Sequence, residues 1–195
     1  MAQEAAARAF FGAPYFAVVG ASSDPTKFGH KSMSFPFPLP SLSIHFLVFS
    51  GVKKIEESVA NSETTVFTWY THHNLPVTPI NPSSPSIKAY PPYPALEIQT
   101  YPTLPNLSAL PHPTETSVSI ITPPKVTIKV LEEAKKIGIE GVWLQPGTFD
   151  DAVLEFARKE FKAAVGGEGG AGSEGWCVLV DGERVAKAAG KELKL

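Results

Sequence analysis

Phe16-Ala-Val-Val-Gly20-Ala-Ser-Ser-Asp-Pro-Thr-Lys27-Phe-Gly29 joins a short apolar run to a loop of small residues. Ala17, Val18 and Val19 predict a strand buried on both faces, the kind found inside a parallel sheet. The loop behind it offers backbone N–H groups without bulky side chains, and one cation, Lys27. That is the chemistry of a phosphate cradle. Ahead of this strand (Tyr15–Gly20), the alanine-rich Ala2–Phe11 predicts a short helix, stopped by Gly12 and Pro14.

A parallel strand needs a crossover, so a helix is expected to begin near Lys27–Lys31. Ser32–Thr65 interrupts it. Its Phe/Pro alternation cannot be helical, because proline lacks the N–H and biases the preceding residue towards extended backbone. Joining Lys31 directly to Val66 restores one helix, with Val66, Trp69 and Tyr70 on a single face. Ser32–Thr65 therefore reads as an insertion into the crossover, either a family-specific surface loop or a translated intron. Pro91–Tyr101 reads as a second, smaller one, because Ala89-Tyr-Pro and Thr100-Tyr-Pro nearly repeat across it.

Further strands are expected at Leu75–Asn81, Ser117–Thr122, Gly141–Gln145 and Trp176–Val180. Pro79 puts the first of these at a sheet edge or a bulge. Leu104, Leu107 and Leu110 anchor the connection between the first two. Thr122 is read as the cap of a helix whose buried face carries Val126, Val130, Ala134 and Ile137, and which Gly138 stops. Thr148 is read as the cap of a second helix, Phe149–Lys162. Glycines at 166, 167, 169, 170, 172 and 175 make a flexible loop of 166–175, and Glu183–Leu195 reads as a polar tail. The alternation predicts one α/β domain over 1–195. Its architecture is a doubly wound, Rossmann-like parallel sheet of about five strands with helices on both faces, interrupted by irregular Pro-rich insertions.

Composition narrows the function classes. Charged residues are 18% of the chain and the formal net charge is -2, so no basic field exists for a nucleic acid backbone. The single Cys177 excludes an intramolecular disulfide and a cysteine-based zinc site. Met1–Arg8 lacks the apolar core of a signal peptide, and Ile44–Val52 is too short to span a bilayer. The expectation is a soluble, cytoplasmic protein whose oligomeric state is open. Proline, 19 of 195 residues, crowds between Pro36 and Pro124.

In doubly wound folds ligands bind outside the carboxyl ends of the strands. Four segments then matter, and with them in view the chain resembles the small CoA-binding-domain proteins related to the CoA-binding domain of succinyl-CoA ligase α subunits. The resemblance is carried by Val18–Gly29, Val77-Thr-Pro-Ile-Asn-Pro82, Ile120-Ile-Thr-Pro-Pro124 and Gly141-Val-Trp-Leu-Gln-Pro-Gly147, and covers most of Pro14–Phe161. It implies a Rossmann-like fold that binds CoA or acyl-CoA, with no activity beyond binding assigned. Carried over by position, Gly20, Ala21, Ser22, Ser23 and Lys27 hold the phosphates. Asn81 and Pro82 sit by the nucleotide end, Thr122 and Pro123 flank the ligand at the third strand, and Gln145, Pro146 and Gly147 at the fourth. CoA carries a pyrophosphate and a ribose phosphate, which suit a helix N-terminus and a lysine.

Other readings stay open. Gly20–Gly29 is neither Gly-x-Gly-x-x-Gly nor a Walker A loop, which weakens an NAD(P)- or nucleotide-dependent enzyme without removing it. An insertion beginning at Ser32, just behind the loop, also leaves a binding-impaired product as a third reading. The ligase relatives use a phosphorylated histidine from a separate downstream segment, and no histidine follows His112. No catalytic or metal-ligating residue is assigned. His72-His73 reads as a polar helix end, Asp150 and Asp151 as complements to a helix dipole, Trp143 as core and Cys177 as a buried thiol.

Overall fold

The computed structural model describes residues 2–22, 65–89, 91, 97–167 and 176–193. Helix α1 (Ala2–Phe11) precedes β1 (Tyr15–Val19), and α2 (Thr65–His72) precedes β2 (Val77–Ile80). A hairpin, β3 (Ser86–Ala89) and β4 (Gln99–Pro102), leads to β5 (Thr116–Ile120). Helix α3 (Pro124–Lys136), β6 (Gly141–Leu144), α4 (Asp151–Glu160), β7 (Ala163–Val165) and α5 (Val178–Ala188) complete the order.

The main sheet is parallel, in the order β2-β1-β5-β6-β7. The winding reverses between β1 and β5, which makes their carboxyl ends the topological switch point. β1 shows why these strands read as apolar runs. Phe16 and Val18 face a core under α1, α2 and α5, whereas Ala17 and Val19 face a second core under α3 and α4. Both faces are dry, so alternation by hydropathy disappears while alternation by layer remains. The first core is aromatic: Phe10, Phe11, Phe16, Phe67, Tyr70 and Trp143 are all buried there. The second is mainly aliphatic, with Phe161 at its end, and Leu107 and Leu110 close it with Leu104 against its rim, as expected of that connection.

Several expectations hold in place. α1 spans Ala2–Phe11 as predicted. α2 buries Val66 and Tyr70 and packs Trp69 against the same core, the face predicted for the rejoined crossover. Among the described residues Pro79 lies in an edge strand, since β2 pairs there with β1 alone apart from one bridge between Ile80 and Leu104. His73 Nδ1 lies 2.7 Å from the Trp69 carbonyl, at the end of α2. Thr65 opens α2, whereas residues 32–64 and the expected helix start at Lys27–Lys31 lie outside the described residues.

Other expectations need correction. Trp176–Val180 is not a strand. Val178 begins α5, so Glu183 to Ala188 is helix rather than tail, and the last strand among the described residues is the short Ala163–Val165. The buried side chains Val178, Val185 and Ala186 recur at helical spacing, and Gly182 brings the helix close to α2. A Cβ at Gly182 would lie 2.6 Å from Trp69 Cζ2. In α3 Ala134 is buried as expected, with Val130 and Ile137 against the second core, but Thr127 and Leu131 share that buried face and Val126 is 45% exposed. Thr127 turns inward because its hydroxyl donates to the Thr122 carbonyl at 2.9 Å. Pro123, not Thr122, is the N-cap of α3. In α4 the cap is Asp150, which accepts from Val153 N at 2.9 Å, and Thr148 instead closes the preceding turn. The Pro91–Tyr101 segment ends in regular structure: Lys88 pairs with Thr100 and Ala89 with Gln99 in the hairpin. Tyr101 then meets Phe67 edge-on at 5.1 Å, docking the hairpin on α2. Of the glycine-rich 166–175, Gly166 and Gly167 are described and follow β7 directly.

Burial gives the fold an alkaline limit. Tyr70 is fully buried with its hydroxyl 2.8 Å from Ser119 Oγ, and burial pushes its ionisation well above the usual 10.0. Burial also pushes the Cys177 thiol up from its usual 9.0. The unfolded chain releases both protons where the folded chain keeps them, so stability falls as pH rises. The loss begins near pH 9 with Cys177 and steepens above pH 10 with Tyr70. Each group can contribute up to about 1.4 kcal/mol per pH unit. Urea unfolding between pH 8 and 11 checks this. Tyr70→Phe should flatten the slope above pH 10, and equal slopes in variant and wild type would refute the assignment.

Candidate functional site

The carboxyl ends of β1 and β5 are held in contact by a missing side chain. Gly20 has φ +94 and follows β1 directly. A Cβ there would lie 2.9 Å from Thr122 Cγ2 and 3.2 Å from the Ile121 carbonyl carbon. Only glycine takes this backbone shape at little cost and leaves room for the neighbouring loop. The ladders run on one residue past the strands on both sides. Gly20 N donates to the Ile80 carbonyl at 3.1 Å, and Ile121 N donates to that of Val19 at 3.0 Å.

Asn81 braces this edge. Its Nδ2 donates to the Ala21 carbonyl at 2.8 Å, and its Oδ1 accepts from Ser83 N at 2.8 Å. Its own N–H donates to the Leu104 carbonyl at 2.9 Å. The side chain is buried, and its amide ties the first loop to the second. Removing a buried amide with both ends engaged costs about 1–3 kcal/mol for each partner left unsatisfied. Pro82, next to it, is exposed.

Thr122 and Pro123 form the third segment. Thr122 Oγ1 lies 2.9 Å from Thr127 Oγ1, so the hydroxyl is turned towards α3. Pro123 and Pro124 carry no N–H, which makes the amino end of α3 a weak anion site.

Gln145 carries the fourth segment. Its N–H continues the β5–β6 ladder to the Ile120 carbonyl at 3.2 Å, and its carbonyl accepts from both Thr148 N (3.1 Å) and Thr148 Oγ1 (2.7 Å). Gly147, at φ +83, makes this turn. The side chain is 1% exposed, and its Oε1 accepts from Val178 N at 3.0 Å. Its Nε2 is buried with no hydrogen-bond partner among the described residues.

Gly20, Ala21, Asn81 and Thr122 are thus drawn into one braced cluster, and Gln145, Pro146 and Gly147 lie along the same sheet edge. Ser22 is buried beside the cluster. Ser23 and Lys27 lie outside the described residues. The contact between Gln145 and α5 has no counterpart in the sequence reading, because α5 reads there as a strand. The helical spacing of Val178, Val185 and Ala186 is the signal that would have found it.

Two open grooves lie elsewhere. One, of about 390 Å³, runs along the amino ends of the strands past Gly12, Thr114, Ser117, Glu140 and Gly141. The other, of about 330 Å³, lies between the end of α2, the start of β2 and Tyr101. Neither is lined by a residue that the sequence reading places against the ligand.

Residues 50–174 match the CoA binding domain family model. The match takes in β2 to β7 and leaves Gly20–Gly29 ahead of its start. Among solved structures, a hypothetical protein from Pyrococcus horikoshii OT3 superposes with a TM-score of 0.58 at 17% identity, over 93% of this chain and 91% of that one. A conserved hypothetical protein from Pyrococcus furiosus gives 0.50 at 18% identity, over 79% and 94%. Prb, a protein redesigned for binding, gives 0.58 at 16% identity, over 95% and 92%. At these identities the likeness is one of fold. No curated protein matches the chain. With the matched stretch covering more than half its length, the chain belongs to the CoA binding domain family.

Proposed function

We propose that this protein binds CoA or acyl-CoA at the carboxyl edge of its sheet without transforming it, with the ligand phosphates on the Gly20–Gly29 loop. The observation that carries this reading is the closure of the switch point, where Gly20 packs on Thr122 and Asn81 ties Ala21 to the second loop. A pyrophosphate needs backbone N–H groups held still and unobstructed; Gly20 spends its own N–H on Ile80, and what it gives is a fixed start, free of a side chain, for the loop that follows. Ser22, Ser23 and Lys27 complete the cradle on this reading, and Lys27 supplies its positive charge.

Asn81 weighs against a dinucleotide enzyme. The NAD fold relies on an acidic residue near the end of the second strand to bind the ribose. Here the position at that strand end is an amide already spent on the protein itself.

Thermal unfolding with and without ligand tests the reading. A ligand that binds only the folded state, at a hundred times its Kd, adds about 2.7 kcal/mol. For a chain of this size CoA should raise the midpoint by about 5–10 °C, and NAD should not. Lys27→Ala should shrink the CoA shift. Equal shifts for both ligands, or none for CoA, would contradict the proposal.

A further inference from the structure

The carboxyl end of β6 carries a side chain whose bonding is half complete. Gln145 is almost fully enclosed, and an amide offers one acceptor and two donors. The acceptor is in use, because Oε1 receives the N–H of Val178, the first residue of α5. The donors are not: Nε2 is buried and meets no acceptor among the described residues. Turning the amide over does not help. It would set the NH2 group against the Val178 N–H, which can only donate, and leave the oxygen where no donor is found. Buried polar atoms in folded proteins nearly always have a partner, so this one calls for an explanation.

The helix it touches has its first N–H groups taken up one by one. Asp181 Oδ2 accepts from Cys177 N at 3.1 Å, and the Cys177 sulfur meets the N–H groups of Leu179 and Val180. The Gln145 amide takes the N–H of Val178, from a strand end 33 residues away in sequence. It thus stands between two things, the amino end of α5 and the sheet edge where the first, third and fourth loops emerge. Its backbone is fixed there by the bond from its N–H to Ile120 and the bonds from Thr148 to its carbonyl. Only the far end of the side chain has bonding left to offer.

We infer that Gln145 is a positioning residue that couples the ligand to α5, its Nε2 donating to an acceptor oxygen of the bound molecule while its Oε1 holds the Val178 amide. The inference rests on the CoA reading above, and CoA offers phosphate, amide and hydroxyl oxygens as acceptors. A ligand that engages Nε2 fixes the amide in one orientation and so tightens its hold on α5. The helix passes that restraint on, since Val185 and Ala186 pack into the aromatic core and Arg184 pairs with Glu4 of α1 at 2.7 Å.

The experiment uses the full chain as wild type, Gln145→Glu and Gln145→Met, with CoA titrations by calorimetry and amide exchange read at Val178. Gln145→Glu keeps an acceptor for Val178 and removes the donors. Gln145→Met keeps the volume without placing a carboxylate in the interior, and serves if the first variant does not fold. In the wild type, CoA should slow exchange at Val178 several-fold. In either variant, affinity should fall about tenfold, the worth of one well-made hydrogen bond, and CoA should no longer change that exchange rate. Wild-type affinity in a folded variant overturns the inference while leaving the CoA reading intact, and so does unaltered Val178 exchange in a wild type that binds CoA. A wild type that does not bind CoA overturns both.

Discussion

Trp143→Ala should lower the unfolding free energy by about 3–5 kcal/mol, the usual cost of emptying a large aromatic site in a core. Trp143 is fully buried at the centre of β6. Phe10 meets it edge-on at 5.4 Å, Phe11 at 5.8 Å and Trp176 at 6.2 Å. Its Nε1 also donates to the Trp176 carbonyl at 3.1 Å, which pins the approach to α5. One ring therefore holds α1, the sheet and the entry to the last helix together. Domains of this kind are stable by only about 5–15 kcal/mol, so the variant should unfold at far lower urea. A loss below about 1 kcal/mol would mean that the aromatic core is not packed as described.

Gly20→Val should be as damaging, for a different reason. A β-branched residue at φ +94 is strained by about 1–3 kcal/mol. Its Cβ would also press on Thr122 and the Ile121 backbone, and overpacking of that kind costs a similar amount. The expected loss is about 2–6 kcal/mol, together with CoA binding. Gly190→Val is the control. Gly190 has φ +81 with nothing within 4 Å of its would-be Cβ, so that variant carries the strain alone. Similar losses in the two variants would show that the contact between the β1 and β5 ends contributes nothing.

Much of the fold was legible because parallel strands buried on both faces leave unbroken apolar runs. Tyr15–Gly20 and Gly141–Gln145 show this, and their ends brought the candidate segments with them. The misreadings have physical causes. Val178-Leu-Val is as apolar as a strand, and only Val185 and Ala186, a further two turns on, reveal the helical period. β7 is three residues of Ala and Val, too short to show any period at all. On α3, Val130, Ala134 and Ile137 read correctly as core-facing, whereas Thr127 is hidden from the reading because it counts as polar, although its hydroxyl is satisfied inside and the residue is buried. Thr148 and Asp150 are both good caps, and only the turn at Gly147 decides between them. Within the site, Gly20, Asn81, Thr122 and Gln145 could be named from strand ends alone. That Asn81 ties Ala21 to the second loop, and that Gln145 reaches α5, depends on contacts between residues 60 and 33 positions apart.

Hydrogen exchange of the full chain, with and without saturating CoA, asks most directly where the ligand sits. The expected result is slowing at the carboxyl edge, in peptides covering 15–29, 77–83, 118–124 and 142–149, together with Val178, which Gln145 joins to that edge. Slowing instead along the amino-end groove at Gly12, Thr114 and Gly141, with the carboxyl edge unchanged, would contradict the placement of the site.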